Sequence, residues 1–389
     1  MEDKIIKIQL YPASEKLHTA YKTIFSNPPE GYEFIMPEVS ARNKFVHKIR
    51  VNKTARLIYK SFINLFKTTK FIEWSNKTPN IDGAKFVFAR NSIYKGKLPW
   101  VLYILDVPYA LGGYNLNIFM KNRKIIEKYL EKDNCKRIIC TDEASIEIMR
   151  RYFSEKVNDK IILIKQAIAP IKYKKRSKTR DEEVRILFMG SINNQDDFYL
   201  KGGAEAIKIF ECIQQDCNAM LIVRCKVPEQ IKSKIKENPR IILIDEVIPY
   251  EELIKLYADS DILLFPAHSY MLMSLLESLH FGLPIIALDV YNVENYLKNN
   301  YNAFIIKKSE KVKEYYEKDY PLNIRNKKFF YDERVINDMA EKLKLLIKDR
   351  KLREKMGKNS RKLFNERHSL KDMQIQLKKT FDEVTQNAD

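Results

Sequence analysis

A chain of 389 residues has the length of roughly two domains. Apolar residues make up 45%, with 22 Tyr and 20 Phe, so each half can bury a sizeable core and disorder throughout is excluded. Lys and Arg number 70 against 51 Asp and Glu, a net charge of +19, and the five cysteines form no CxxC pair, which argues against a disulfide framework or a structural zinc site and for a reducing compartment.

The opening MEDKIIKIQLYP lacks the apolar core of a signal peptide, and KIIKIQLYP reads as a first strand. The longest apolar runs, such as Trp100–Leu105, reach about a third of the ~18–20 residues that a membrane span needs, so a soluble cytoplasmic chain is expected. From Arg42 to Lys70 come nine basic residues and no acidic one, interleaved with Phe45, Tyr59, Phe62 and Phe66. Leu57, Ile58, Phe62, Leu65 and Phe66 approximate one helical face. A basic amphipathic helix suits an anionic membrane surface, so residues 42–70 are a candidate membrane contact. The plainer alternative is a solvated basic face over an ordinary core stripe. Nucleic acid would attract the same charge, but the chain has no zinc-finger, RNA-recognition or KH signature, and none is expected as a partner.

AKFVFAR (84–90) and WVLYILD (100–106) read as two further strands. RKIIEKYLEKDN reads as a helix, KRIICTD as a strand, EASIEIMRRYFSE as a helix and KIILIKQAIAP as another strand. Such alternation predicts a parallel sheet covered by helices on both faces. IKYKKRSKTRDEE has no apolar rhythm and reads as a linker. A second α/β series follows: the strand VRILFMG, the loop SINNQDDFYLKGG, the helix AEAIKIFECIQQ, and the strands NAMLIVRC and RIILIDEVI. The helix YEELIKLYADS, the strand DILLFPA, the helix MLMSLLESLHFG, the strand PIIALDV, the short helix NVENYLKN and a charged helical tail from Asp332 complete it. The expected organisation is a first domain over 1–172, a linker over 173–183, a second domain over 184–365 and a closing helix over 366–389 that crosses back to the first. Residues 1–180 carry 36 Lys and Arg against 17 Asp and Glu, whereas 181–389 carry 34 of each, so the whole excess lies in the first half. Domains with different partners are expected.

The residues able to carry chemistry cluster in the second half. Gly190 and Ser191 follow its first strand, and Lys201-Gly202-Gly203 opens a helix. Backbone N–H groups there favour an anion, Gly lets a phosphate approach, and Lys201 adds charge. A turn with a solvated lysine is the alternative. Arg224 ends the strand NAMLIVR, where a ligand of an open α/β sheet would lie, or where the chain merely exits to solvent. Glu277 sits inside the apolar run SLLESLHFG and needs a partner or a wet cleft, which sugar hydroxyls or a basic neighbour would satisfy equally. Asp259-Ser260-Asp261 could hold a metal, but Asp261 reads as a turn and strand-entry residue, and no metal site is expected.

YEELIKLYADSDILLFPAHSYMLMSLLESLHFGLPIIALDV resembles the signature of family 4 glycosyltransferases (glycosyl transferases group 1). The likeness extends to FMGSINNQDDFYLKGG, to VYNVENYLKNNYNAFII and to LREKMGKNSRKLFNERHSLKDMQIQLKKTF, and more weakly to PPEGYEF, LPWVLYILDVPYALGGY and KRIICTDEASIEIM. It implies the GT-B arrangement, two Rossmann-like domains facing across a cleft. It also implies a retaining, metal-independent transfer from a nucleotide sugar bound by the second domain to a glycan or lipid-linked acceptor held by the first. No separate cofactor is implied; a UDP- or GDP-sugar is a substrate. By the resemblance, Lys201 meets the donor diphosphate and Glu277 the nucleotide ribose. Gly190, Ser191 and Gly202 line the phosphates, Arg224 contacts phosphate or sugar, and Val247 and Ile248 face the base. His268, Ser269, Tyr270 and Met273 border the donor loop. The first glutamate of the family's E-x7-E motif falls at Ser269, which carries no charge. No histidine matches the family's catalytic one. His18 and His47 are candidates by residue type only, and Asp106, at the end of WVLYILD, is the better placed candidate, with a strand-end cap as its alternative. His280 reads as a packed helix-end residue.

Three functions follow as alternatives. The first is a transferase building a cell-surface glycan or glycolipid, peripheral on the inner face of the membrane. The second is a glycosyltransferase-like binding protein without turnover, and the third a nucleic-acid binder.

Overall fold

The computed structural model describes residues 5–14, 18–38, 80–105, 107–173, 183–192, 195, 197–269, 272–290, 293–310 and 332–386. The basic stretch 42–70, most of the linker, His47, Asp106 and Tyr270 lie outside the described residues. The chain divides into two compact units, Met1–Ala169 with Leu370–Asp389, and Pro170–Ser369.

The first unit contains β1 (Ile6–Tyr11), α1 (Thr19–Phe25), β2 (Tyr32–Ile35), β3 (Ala84–Arg90), β4 (Trp100–Ile104), α2 (Leu116–Leu130), β5 (Cys135–Cys140), α3 (Glu143–Tyr152), the short α4 (Glu155–Asn158) and β6 (Ile161–Leu163). The strands form one parallel sheet in the order β2-β1-β3-β4-β5-β6. All five residues of β4 are buried, as a central strand covered on both faces requires. Helix starts follow side-chain capping: Asn115 accepts from Ile118 N at 3.1 Å, and Asp142 from Ser145 N at 2.7 Å.

The second unit contains β7 (Val184–Met189), α5 (Asp197–Leu200), α6 (Gly203–Glu211), β8 (Ala219–Arg224), α7 (Glu229–Lys236), β9 (Ile241–Ile244), α8 (Tyr250–Asp259), β10 (Ile262–Phe265), α9 (Leu272–His280), β11 (Ile285–Leu288), β12 (Ala303–Ile306), α10 (Glu333–Lys348) and α11 (Arg350–Arg367). Its parallel sheet runs β12-β11-β10-β7-β8-β9. The chain moves outward from β7 to β9, then returns to lay β10 on the other side of β7. Strand order therefore reverses between β7 and β10, which is where open α/β sheets bind ligands beyond the strand ends. Asp261 clamps the entry to β10: its carboxylate accepts the Arg185 N–H at 2.9 Å, and its own N–H donates to Arg185 O at 2.8 Å.

Sequence and structure differ in places. KIILIKQAIAP pairs over Ile161–Leu163 only, because the chain then leaves the sheet edge and Gln166 donates its amide to Ala20 O and Ala167 O. The short strands β2 and β12 and the charged helix α7, with only Ile235 buried, carry too little apolar pattern to be read beforehand. NVENYLKN forms a single 3-10 turn over Val293–Asn295.

A last helix, α12 (Leu370–Gln386), packs into the first unit. Phe381 is fully buried against Tyr32, Phe34, Phe86 and Phe88, with ring centroids 5.2–6.1 Å apart. Around this apolar plug, Tyr32 Oη donates to Asp382 at 2.7 Å and Arg137 Nη2 to Glu383 at 2.8 Å. Phe381→Ala is expected to cost ~3–5 kcal/mol, read as a lower urea midpoint. Ile375→Ala, on the exposed side of the same helix, should stay within about 0.5 kcal/mol.

Candidate active site

The residues expected to act together sit on loops leaving β7, β8 and β10. Gly190 follows β7, and its N–H donates to Arg224 O at 2.8 Å. A Cβ at Gly190 would overlap Cys225 Sγ, so β7 can lie this close to the end of β8 only with glycine there. The Ser191 carbonyl accepts from Lys226 N at 2.9 Å. Burial pushes the Cys225 thiol up to about 12, while Arg224 and Lys201 pull it down as nearby positive charges.

Lys201 and Gly202 precede α6. Gly202 is its N-cap in the left-handed region, φ 77°, and no side chain caps the helix. A Cβ on Gly202 would overlap the Pro266 carbonyl oxygen. This close approach joins the loop after β7 to the loop after β10. His268 N donates to Leu200 O at 3.0 Å, and Lys201 Nζ donates to Ser269 Oγ at 2.8 Å. His268 Nε2 lies 2.8 Å from Glu205 Oε1, both side chains being buried. Its ring nitrogen thus engages the first turn of α6 and holds the loop against the helix. Glu205 was not singled out from sequence: an acid in a first helical turn looks like a dipole partner, and its histidine lies 63 residues on.

Glu277 lies on α9 with 3% of its surface exposed. Burial pushes its carboxyl up to about 7, and the Tyr257 hydroxyl and the Arg224 guanidinium hold it below where burial alone would put it. Tyr257 is fully buried on α8, and its phenol is raised by burial and by Glu277. Tyr250 is raised to about 12, with Glu277 contributing. Arg224 Nη1 donates to Gly190 O at 3.4 Å, while its Nε is buried without a hydrogen-bond partner. Tyr250 and Tyr257 read as core from their helical spacing, and only the fold reveals that they flank the carboxylate.

Met273 precedes Glu277 by one helical turn and is half-buried. Val247 is 77% exposed and Ile248 half-buried on the loop after β9, three and two residues before Tyr250. His280 Nε2 lies 3.3 Å from Ile171 O, and its ring packs edge-on against Phe281 and Phe364. In the first unit, His18 caps α1, its Nδ1 accepting from Ala20 N at 3.3 Å. Among the described residues, no helix is long and apolar enough to cross a membrane.

Residues 183–318 match the family described as Glycosyl transferases group 1. No curated protein matches at the sequence level. Among solved structures, TarM of S. aureus is similar at 15% identity and TM-score 0.53, over 76% of this chain and 54% of TarM, so this chain spans about half of that protein's length. WaaG, a glycosyltransferase involved in lipopolysaccharide biosynthesis, is similar at 17% identity and TM-score 0.58, over 98% of this chain and 100% of WaaG. HepE of Anabaena, solved with UDP and glucose, is similar at 12% identity and TM-score 0.58, over 97% of this chain and 99% of HepE. The fold is that of GT-B glycosyltransferases, with two parallel six-stranded sheets.

The raised carboxyl of Glu277 sets a pH dependence. The unfolded group titrates near 4.5 and the folded one near 7, so the folded state holds the extra proton between those values. Stability from this group is complete below about pH 4.5 and is lost as pH rises through about 7, a span worth about 3 kcal/mol. Glu277→Gln should therefore flatten the fall in stability between pH 5 and 8, measured by urea unfolding at both pH values. Parallel profiles for variant and wild type would contradict the assignment.

Proposed function

We propose that this protein is a glycosyltransferase that moves a sugar from a nucleoside-diphosphate sugar to a glycan or lipid-linked acceptor. The observation carrying this reading is the placement of Lys201 at the uncapped start of α6, bonded to Ser269, at the point where the second sheet reverses its strand order. The match of residues 183–318 to glycosyl transferases group 1 supports it.

Breaking a sugar–diphosphate bond builds negative charge on the leaving phosphate and positive character on the sugar. Lys201 and the free N–H groups opening α6 stabilise that phosphate electrostatically. Gly190, Ser191 and Gly202 let it approach the backbone, with Arg224 as a second cation. Glu277 accepts hydrogen bonds from the ribose hydroxyls, and the nearby Arg224 guanidinium favours its charged form. Val247 and Ile248 border the base. His268, braced by Glu205, positions the loop that presents Ser269 to the donor sugar, and Tyr270 and Met273 are further candidates for contact with that sugar. Ser269 offers that sugar a neutral hydroxyl in place of a carboxylate. UDP is the preferred nucleotide, in line with the UDP held by HepE.

The transfer proposed is retaining and metal-independent, with Asp106 as the candidate acidic group of the first domain. The acceptor domain carries the basic stretch 42–70, which suits an anionic membrane face, and the product is a cell-surface glycan or glycolipid. The uncharged Ser269 favours one second reading, a protein that binds the nucleotide sugar without turning it over.

Thermal unfolding with UDP, GDP, ADP, CDP and their sugar conjugates tests the donor site. A ligand at ~100 times its dissociation constant adds ~2.7 kcal/mol and raises the midpoint by a few degrees. One diphosphate is expected to do so in the wild type and to fail in Lys201→Ala and Glu277→Ala. No shift with any nucleotide would sink the reading. Nucleotide release from the sugar conjugate, with and without EDTA, separates transfer from mere binding.

A further inference from the structure

The first unit carries a buried cation that none of the roles above employs. Arg90 is the last residue of β3, beside β1, where the order β2-β1-β3-β4 reverses the chain's direction across the sheet. It therefore stands at the strand-end rim of the first unit, in the position equivalent to the donor loops of the second. The residue is 7% exposed. One Nη2–H donates to the Pro12 carbonyl oxygen, and the flat group lies over the rings of Tyr21 and Phe25, 5.2 and 5.6 Å from their centroids. No carboxylate lies within ion-pairing range among the described residues, and Nε is buried without a hydrogen-bond partner. Burial accordingly weakens its hold on the proton, with only Tyr21 opposing. Among the described residues Nη1 has no hydrogen-bond partner, and unlike Nε it is not enclosed, so it is the nitrogen open to a ligand.

A buried guanidinium without a counter-ion is costly, and two ring faces and one carbonyl offset that cost only in part. A strand-end residue could keep its charge in water at no such cost. The missing partner is one that arrives from outside, and an oxyanion is what a guanidinium binds best.

We propose that Arg90 is an anion-binding residue of the acceptor site, and that the acceptor carries a phosphate or carboxylate group which Nη1 engages. The proposal rests on the transferase reading for the word acceptor, but the site itself does not. With Nη2 held by Pro12 and Nε enclosed, the contact is end-on rather than a two-point fork. Affinity for the anion alone is therefore modest, and the rest of the acceptor supplies the remainder. The tyrosine and phenylalanine beneath the guanidinium hold it flat, which a lysine could not reproduce.

The test is calorimetric titration of the full chain with glycerol 3-phosphate, with glucuronate and with vesicles of phosphatidylglycerol, using glycerol and glucose as neutral controls. The wild type should bind at least one anionic probe in the millimolar range or tighter and neither neutral control. Arg90→Met, which keeps the stem packed on the rings, should lose at least tenfold in affinity. Arg90→Gln is the second variant in case the first does not fold, with the same expectation. A far-UV circular dichroism spectrum and a cooperative urea transition matching the wild type show that each variant is folded. Binding to the soluble phosphate identifies a free anionic acceptor, and binding to the vesicles alone a lipid-borne one; both support the proposal when lost in the variants. Equal anion affinity in wild type and variants, or no anion binding by the wild type, overturns it. A wild type that binds the anion through Arg90 but no nucleotide would leave the site standing and remove the transferase reading.

Discussion

At Gly202, backbone meets backbone with no side chain between. Its α-carbon rests against the Pro266 carbonyl, and the left-handed φ of 77° turns the chain straight into α6. That contact makes the loops after β7 and β10 one surface instead of two. Given it, Lys201 reaches Ser269, His268 reaches Glu205, and the start of α6 is left uncapped beside them. Any other residue at position 202 would have to separate these loops, because both the φ value and the space favour glycine alone.

Buried charge is the recurring theme around this frame. Glu277, the Glu205–His268 pair and Arg90 are drawn away from water, and Arg224 is half-buried. Each is partly compensated from within: Glu277 by Tyr257 and Arg224, Glu205 by His268, and Arg90 by two aromatic faces and a carbonyl. A stability-only design would replace such groups with apolar ones of similar size. Their retention fits groups kept for a ligand, Arg90 and Arg224 at strand ends and Glu205 and Glu277 on the helices beside them.

Much of this was legible in the sequence, and the rest was hidden for physical reasons. Strands buried on both faces are short unbroken apolar runs, so AKFVFAR and VRILFMG announce β3 and β7 to the residue or nearly so. Lys201, Glu277 and Ser269 could be singled out because local rules make them odd: a lysine before paired glycines, an acid in an apolar helix, a serine where a resembling family has an acid. Glu205 and Tyr257 break no local rule, since their partners lie far along the chain. Nothing in AKFVFAR separates Arg90 from a residue marking a strand's exit to water. Its burial depends on Tyr21 and Phe25, from a seven-residue helix too short to leave a clear period. The helix EQIKSKIK was hidden for the opposite reason, having almost nothing to bury.

The position of α12 has a consequence for how the chain is made. The aromatic cluster of the first unit closes only around Phe381, yet residues 170–369 are translated before that ring exists. At ~5–20 residues per second, the wait between the end of β6 and the arrival of α12 is on the order of ten seconds or more. Throughout it Phe34, Phe86 and Phe88 lack their cover, while the second unit, continuous in the chain, is being made. The half of the protein that is synthesised first thus cannot close its aromatic core until the last helix of the chain has been made.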